Sequence, residues 1–391
     1  MTPEIDVLSV IYLIGAAQGI FLVVALLDKK IANKKANRYL AIFLSIFTLS
    51  IVDEFLFQSH YFYDYPHLIG LIWPLDYLYG PLFYFYIREL TSINRPFSSK
   101  KDSFHWLLFV LGFSLAIPTW ILGPHQKITM LYELSQTVGG EVFRAKVFDG
   151  LATLFVVIQI AVYICLSFLH LRHYRLNILQ QFSEIERINL SWLVTLLWIL
   201  LPLWGLYIVD IFFSDRLEIG DQAGLSLHLI LVFIIYGMGY MGLRQPNIFK
   251  VEGGAGISAE LETVNVSVEC EKYSKSKLSL EQSEVLKTRL QVVMEEHEPY
   301  LESGITLPEL ASLMGCTPNN LSQVINDGFG KNFFDFINGY RIRHAKQQLL
   351  SSERMPVLQV SMNAGFNSKS AFYTAFRKEV GMTPSQYRKT I

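Results

Sequence analysis

The sequence predicts an all-α protein: a seven-transmembrane-helix bundle followed by a domain built on two helix-turn-helix motifs. Three observations carry that expectation. Apolar stretches of about twenty residues, the length that crosses a bilayer core, recur seven times before residue 244. Beyond residue 279 the apolar residues return three and four apart instead of in runs, the spacing of amphipathic helices. Two short helical patterns in that second region are each interrupted by a glycine turn and resumed behind a capping side chain.

Composition says the same on a coarser scale. Hydrophobic residues make up 51% of the 391 and charged residues 17%, an average over two unlike halves. The net charge of −1 argues neither for nor against a nucleic-acid partner. Cys165, Cys270 and Cys316 lie far apart, fit neither a metal spacing nor a disulfide framework, and read as free thiols. The chain has no histidine pair spaced for a metal on one helix face, no nucleophile elbow and no phosphate-binding glycine loop. It therefore reads as a non-enzyme with no implied cofactor.

The membrane domain is expected over 1–243, with spans near 7–27, 39–58, 68–87, 104–123, 148–171, 190–213 and 225–243. Glu4 and Asp6 stand where a signal peptide would be basic, and no small-residue cleavage site follows, so the first span is expected to stay. Lysine and arginine favour alternate loops by twelve to four, which orients the N-terminus outside and residues from 244 onward in the cytoplasm. Pro74, Pro81, Pro118 and Pro202 should bend their helices, which a bundle tolerates where neighbours satisfy the freed backbone. Gly15 and Gly19 form a GxxxG, and Gly237, Gly239 and Gly242 line the last span. Packing within one bundle is the favoured reading of these glycines, and a homodimer seam the other. The last span holds no lysine, which excludes a retinal Schiff base there.

Ionisable side chains inside the spans point to a site. Asp53 and Glu54 fall toward the outer end of the second span, Asp76 between Trp73 and Tyr77 in the third, Asp210 at the end of the sixth and His228 at the start of the seventh. With the orientation above, all lie on the outer side. Charge deep in a bilayer is costly, so such groups face a bundle interior or a wet cavity unless they snorkel to the surface. The expectation is an outward-opening, acidic, aromatic-lined pocket for a cationic or hydrogen-donating small molecule, or for a pH signal through His228.

Residues 244–279 lose the apolar runs and read as a cytoplasmic linker, with a short strand at TVNVSVE. The last domain is expected over 280–391 and opens with a helix striped by Leu280, Val285, Leu286, Leu290 and Val293. In the first motif Thr306 and Glu309 have capping-box spacing, Leu310, Leu313 and Met314 form the buried face, Gly315 and Cys316 make the turn, and Thr317 with Pro318 starts the next helix. That helix turns Leu321, Val324 and Ile325 inward and leaves Asn319, Ser322 and Gln323 outside. A connector over about 333–350 follows, with Phe336, Ile337, Tyr340, Ala345 and Leu349 inward. At 1.5 Å per residue it is about 27 Å long, near the roughly 34 Å between successive major-groove faces.

The second motif turns at Gly365 behind Phe366, is capped by Ser368, and alternates an inner face of Phe372, Ala375 and Phe376 with an outer stripe of Lys369, Tyr373 and Arg377. A polar, cationic helix face held this way suits base edges in a DNA major groove. The pattern resembles the signature of the AraC family of bacterial transcription regulators. Arg341, Ile342, Ala345 and Leu349 open the match, Val360, Ser361, Gly365, Phe366, Phe372 and Phe376 continue it, and Gly381, Thr383 and Pro384 close it. Ser361 stands where the family usually has alanine. The resemblance covers roughly the last quarter of the chain. It implies a DNA-binding unit with two motifs, and sets Asn319, Ser322 and Gln323 where the family's first recognition helix meets DNA.

Charge agrees with that implication. Residues 331–391 carry ten Lys or Arg against three acids, while 281–330 carry two against eight, so the connector and second motif are the phosphate-facing part. Bases are expected to be read by Asn319, Ser322, Gln323, Lys369, Tyr373 and Thr374, and phosphates held by Arg343 and Arg377. Arg341 and Ser370 complete the DNA-binding set. The reading is a one-component regulator of the bacterial cytoplasmic membrane, with double-stranded DNA, the lipid bilayer and an external signal as partners. The alternative is a membrane receptor or transporter whose cytoplasmic helices dock a protein. A docking module has no need of polar groups on two recognition helices joined by a basic connector.

Overall fold

The computed structural model describes residues 5–28, 33–91, 102–129, 140–186, 188–217, 222–244, 279–351 and 355–389, with only the backbone path given for 140–153, 210–217 and 222–229 and a few single positions. The chain divides into two units. Met1–Leu171 with Ser191–Phe249 form the first, and Arg172–Leu190 with Lys250–Ile391 the second. Helices dominate the described residues of both.

Up to residue 249, α1 is Val7–Leu26, α2 Lys34–Gln58, α3 Tyr79–Thr91, α4 Leu107–Ile121, α5 Gly140–Gln181, whose residues from Arg172 on belong to the second unit, α6 Ser191–Leu217 and α7 Gln222–Arg244. Asp6 starts α1 by accepting the Ser9 amide at 2.8 Å, which satisfies one of the first-turn donors that no helix can pair internally. Tyr12 and Ala16 of α1 bury against Ile51 of α2 and Val232 of α7. The two glycines of the GxxxG lie in this seam. The Tyr236 hydroxyl donates to the Gly15 carbonyl, and any side chain at Gly19 would collide with Thr48. Close backbone approach inside one bundle therefore occupies this motif.

By length and composition, four stretches among the described residues could cross a bilayer: Val7–Leu26, Lys34–Gln58, Ser103–Ile121 and Leu154–Gln181. Ser191–Leu206 is apolar but shorter. The span expected at 68–87 is not one helix. Pro66–Leu68 and Trp73–Leu78 are 3-10 turns, Gly70 sits at φ +75, and α3 has only 13 residues. At 1.5 Å per residue α3 reaches about 20 Å, short of the roughly 30 Å core. Side chains satisfy carbonyls that a helix would have paired. Trp120 Nε1 donates to Gly70 O at 2.8 Å, and the buried Lys127 ammonium lies 3.4 Å from both His67 O and Ile69 O.

Of the expected pocket residues, Asp53, Glu54, Trp73 and Asp76 are half-buried and Tyr77 is buried. Asp76 lies in a 3-10 turn instead of a long helix, and its carboxylate is close enough to Asp53 to feel its charge. The side chains of Asp210 and His228 lie outside those described.

The linker and its expected strand at 263–269 also lie outside the described residues. In the second unit α8 is Leu280–Glu296, α9 Leu307–Leu313, α10 Pro318–Phe329, α11 Phe333–Ser351, α12 Val357–Asn363, α13 Lys369–Val380 and α14 Pro384–Lys389. Helix α11 is a shared beam. Its first half gives Phe333, Phe336 and Ile337 to one core with Leu290, Leu310, Met314 and Val324, and its second half gives Ile342, Ala345 and Leu349 to another with Val360, Phe372 and Phe376. Three expected core positions are corrected. Leu280 and Val285 are 90% and 65% exposed, because the buried stripe of α8 runs instead through Leu290 and Met294, flanked by Leu286 and Val293. Leu313 is 61% exposed, one position round the helix from Met314, which fills the core.

Candidate nucleic-acid interface

Each motif is assembled by local chemistry. Thr306 N–H donates to Glu309 Oε2 at 2.8 Å while Thr306 Oγ1 accepts the Glu309 amide at 3.4 Å, the reciprocal capping box that the spacing predicts. After α9 the chain turns through Gly315 at φ +59, and the Cys316 amide returns to Ala311 O at 3.0 Å. Burial pushes the Cys316 thiol above its ordinary value against a smaller opposing effect of Arg289, so it stays a neutral packing group. Thr317 accepts the Asn320 amide at 3.2 Å and starts α10.

The second motif repeats this plan with one residue more. Helix α12 ends at Asn363, the chain turns at Gly365, and the Phe366 amide returns to Ser361 O at 3.0 Å. Asn367 is then interposed before Ser368, which accepts the Ala371 amide at 3.0 Å and caps α13. Gly365 is required twice over. Its φ is +82, and a Cβ there would lie 2.7 Å from Tyr300 O.

The outward faces are polar. On α10, Leu321, Val324 and Ile325 are at most 1% exposed, Asn319 is open to solvent, and Ser322 and Gln323 are half-buried. On α13, Phe372 and Phe376 are fully buried, Lys369, Ser370, Thr374 and Arg377 are exposed, and Tyr373 is half-buried with Lys369 Nζ 5.4 Å from its ring centre. On the connector α11, Arg343 is exposed and lies over Tyr340 at 4.8 Å. A cleft of about 400 Å³ opens beside it, lined by Lys331, Tyr340, Arg343 and Lys346 with Glu295 and Glu379. Ion pairs Lys378–Asp335 at 2.6 Å and Lys331–Glu379 at 3.6 Å tie α13 to the start of the connector.

Arg341 is the exception among the expected DNA contacts. It is 1% exposed, donates to Tyr300 O at 2.7 Å and Glu302 O at 2.8 Å, and lies over the Phe366 ring at 5.6 Å. Burial lowers its pKa to about 10 against the opposing charge of Glu184, so it remains charged at neutral pH. Its fork is engaged by carbonyls of the 3-10 turn Pro299–Leu301 and the residue after it, leaving none of it for a phosphate. It joins the two motifs instead. A polar group that the spacing argument left out is Asn326, exposed on α10 with Nδ2 donating to Ser322 Oγ at 3.3 Å. Its place seven residues after Asn319, two helical turns on the same face, was the available signal. Among the described residues no three of His, Cys, Asp and Glu gather as a metal site.

Comparison with known proteins agrees with this geometry. Residues 310–390 match the family described as "Helix-turn-helix domain". An uncharacterized HTH-type transcriptional regulator of Staphylococcus aureus is 31% identical over 91 residues, covering 23% of this chain and 12% of that protein. The melibiose operon regulatory protein of Escherichia coli K12 is 32% identical over 88 residues, covering 22% of this chain and 29% of that protein. The chain thus spans well under a third of these relatives' length. Among solved structures, the C-terminal domain of AraT, a response regulator from Geobacillus stearothermophilus, is 28% identical, with 30% of this chain and 89% of that one covered and a TM-score of 0.25. The C-terminal part of this chain is a helix-turn-helix DNA-binding domain of the AraC type.

Proposed function

We propose that the chain is a one-component transcription regulator of the bacterial cytoplasmic membrane, in which seven helices receive a signal and the double helix-turn-helix domain binds promoter DNA sequence-specifically. The observation that carries the reading is the pairing of two capped recognition helices, each polar outside and apolar inside, on one 19-residue connector with an exposed arginine. That connector is about 28 Å long, which suits two reading heads one duplex turn apart. Asn319, Ser322, Gln323, Lys369, Ser370, Tyr373 and Thr374 would face bases, and Arg343 and Arg377 phosphates. Asp53, Glu54, Trp73, Asp76, Tyr77, Asp210 and His228 would form the signal pocket. The reading is tested with the full chain in lipid nanodiscs and duplex DNA from the protein's own upstream region, titrated at several salt concentrations. Tight binding whose logarithm falls linearly with that of salt is the expected result. Failure to shift any duplex at low salt would favour a protein-docking module instead.

A further inference from the structure

The described stretch between α5 and α6 does more than join two helices. Arg172–Leu190 belongs to the same unit as the helix-turn-helix domain. Phe182 pairs with Thr306 in an isolated antiparallel bridge, and the Ser183 amide donates to Ile305 O at 3.3 Å. Ser183, 2% exposed, accepts from Arg341 through its hydroxyl at 3.4 Å and its carbonyl at 3.5 Å, across 158 residues of sequence. Next to it, Glu184 accepts a hydrogen bond from Asn367. The far end is fixed by Tyr174, whose hydroxyl donates to Ile188 O at 2.8 Å.

Two features of this contact bear on function. It touches both motifs at the residues that launch their helices, Thr306 at the start of α9 and Asn367 just before the cap of α13. It is also a small set of polar bonds, each of modest net strength in exchange with water, so it can release. Recognition helices present their N-terminal residues to DNA, and a carboxylate at that end of α13 would stand where a phosphate approaches. Like charges brought together at an interface oppose association.

We propose that Phe182–Glu186 is an autoinhibitory strap, seated on the helix-turn-helix domain through Ser183 and Arg341, which holds Glu184 at the start of the second recognition helix and weakens DNA binding until it lifts. The proposal rests on the DNA-binding reading above. Because the strap joins two helices of the membrane domain in sequence, movement of those helices is the natural trigger for lifting it. Asn367 is the residue by which the second turn exceeds the first, and in this arrangement it serves as the latch for Glu184.

The test uses the full chain in nanodiscs with Cys165, Cys270 and Cys316 replaced by alanine. Glu184→Cys and Asn367→Cys are added together and bridged by a short bis-methanethiosulfonate reagent, leaving the Thr306 cap untouched. A fluorescein-labelled random-sequence duplex at low salt is the probe. Bridged protein, which keeps the strap's backbone across the start of α13 without the Glu184 charge, should bind about tenfold or more weakly than the same sample after dithiothreitol cleavage, and the Glu184→Cys control should be unaffected by the reagent. Equal or tighter binding before cleavage, or no bridge formed, overturns the strap. If the control itself binds no DNA, the DNA-binding reading falls, and the strap with it. If the control binds but the cleaved double variant does not, Glu184→Gln decides. Several-fold tighter binding than wild type then supports the strap, and unchanged binding overturns it.

Discussion

Arg341 and Arg343 lie two positions apart on one helix and do opposite work. Arg341 is buried and donates to the main-chain carbonyls of Tyr300, Glu302 and Ser183, whereas Arg343 stands in solvent. Replacing Arg341 with alanine leaves those carbonyls without their donor and should destabilise the domain by about 3 kcal/mol. Hydrogen exchange of the α11 amides in the full-length protein would show this as roughly a hundredfold loss of protection. Unchanged protection would mean the two motifs are held together elsewhere. Replacing Arg343 or Arg377 with alanine should leave protection intact, weaken binding to all sequences and flatten the salt dependence by about one unit of slope. Lys369→Ala or Gln323→Ala should instead cost about 1–3 kcal/mol at a single base position. If both kinds of variant lose specific and non-specific binding in equal measure, the division into base and phosphate contacts is wrong. Sequence alone could not separate Arg341 from Arg343, because what buries Arg341 is a turn 41 residues away in the chain.

At the scale of elements, the caps were the most legible feature and the irregular backbone the least. Thr306 with Glu309, Thr317 and Ser368 each act within three residues of themselves, so their spacing contains the whole interaction. Thr317→Ala and Ser368→Ala should therefore each cost about 1 kcal/mol, while Ser368→Gly costs only a few tenths, read as loss of amide protection in the first turn of α10 or α13. An alanine cap as protected as the native one would show that packing alone sets those helix starts. Hydropathy, by contrast, reports composition without backbone path. The stretch 68–87 is apolar enough for a span, yet Pro66, Gly70 and Pro74 fall where it becomes 3-10 turns, with Trp120 and Lys127 supplying the missing donors from fifty to sixty residues away. Helix phase failed more narrowly. Val285 is one residue from the partly buried Leu286 and Leu313 one from the buried Met314, and near a stripe's edge only the packed neighbours decide which residue turns inward.

For the whole molecule, the signal route begins with topology. The loop asymmetry of twelve against four predicts that reporter fusions at Pro66 and Ser214 face the periplasm and those at Lys34, Ser98 and Leu280 the cytoplasm. Swapped signals at two of these positions would separate the membrane half from any route to DNA. Given that topology, the acidic groups are the strongest handle on the signal. Asp53 on α2 and Asp76 in the 3-10 turn Trp73–Leu78 lie within reach of each other's charge, half-buried, while Ser50 of α2 hydrogen-bonds the hydroxyl of Tyr79, the first residue of α3, at 2.8 Å. Two half-buried carboxylates that feel each other's charge suit a cationic ligand. A ligand shifts a bundle between two packings only by binding one more tightly than the other, so removing the charge should uncouple output from signal without removing DNA binding. Asp76→Asn and Asp53→Ala proteins that insert normally should give promoter output that no longer varies with external pH or added cationic ligands, while still binding duplex DNA in nanodiscs. Output that tracks the signal as in the wild type would leave the helices as an anchor and send the search for the sensor elsewhere in the chain.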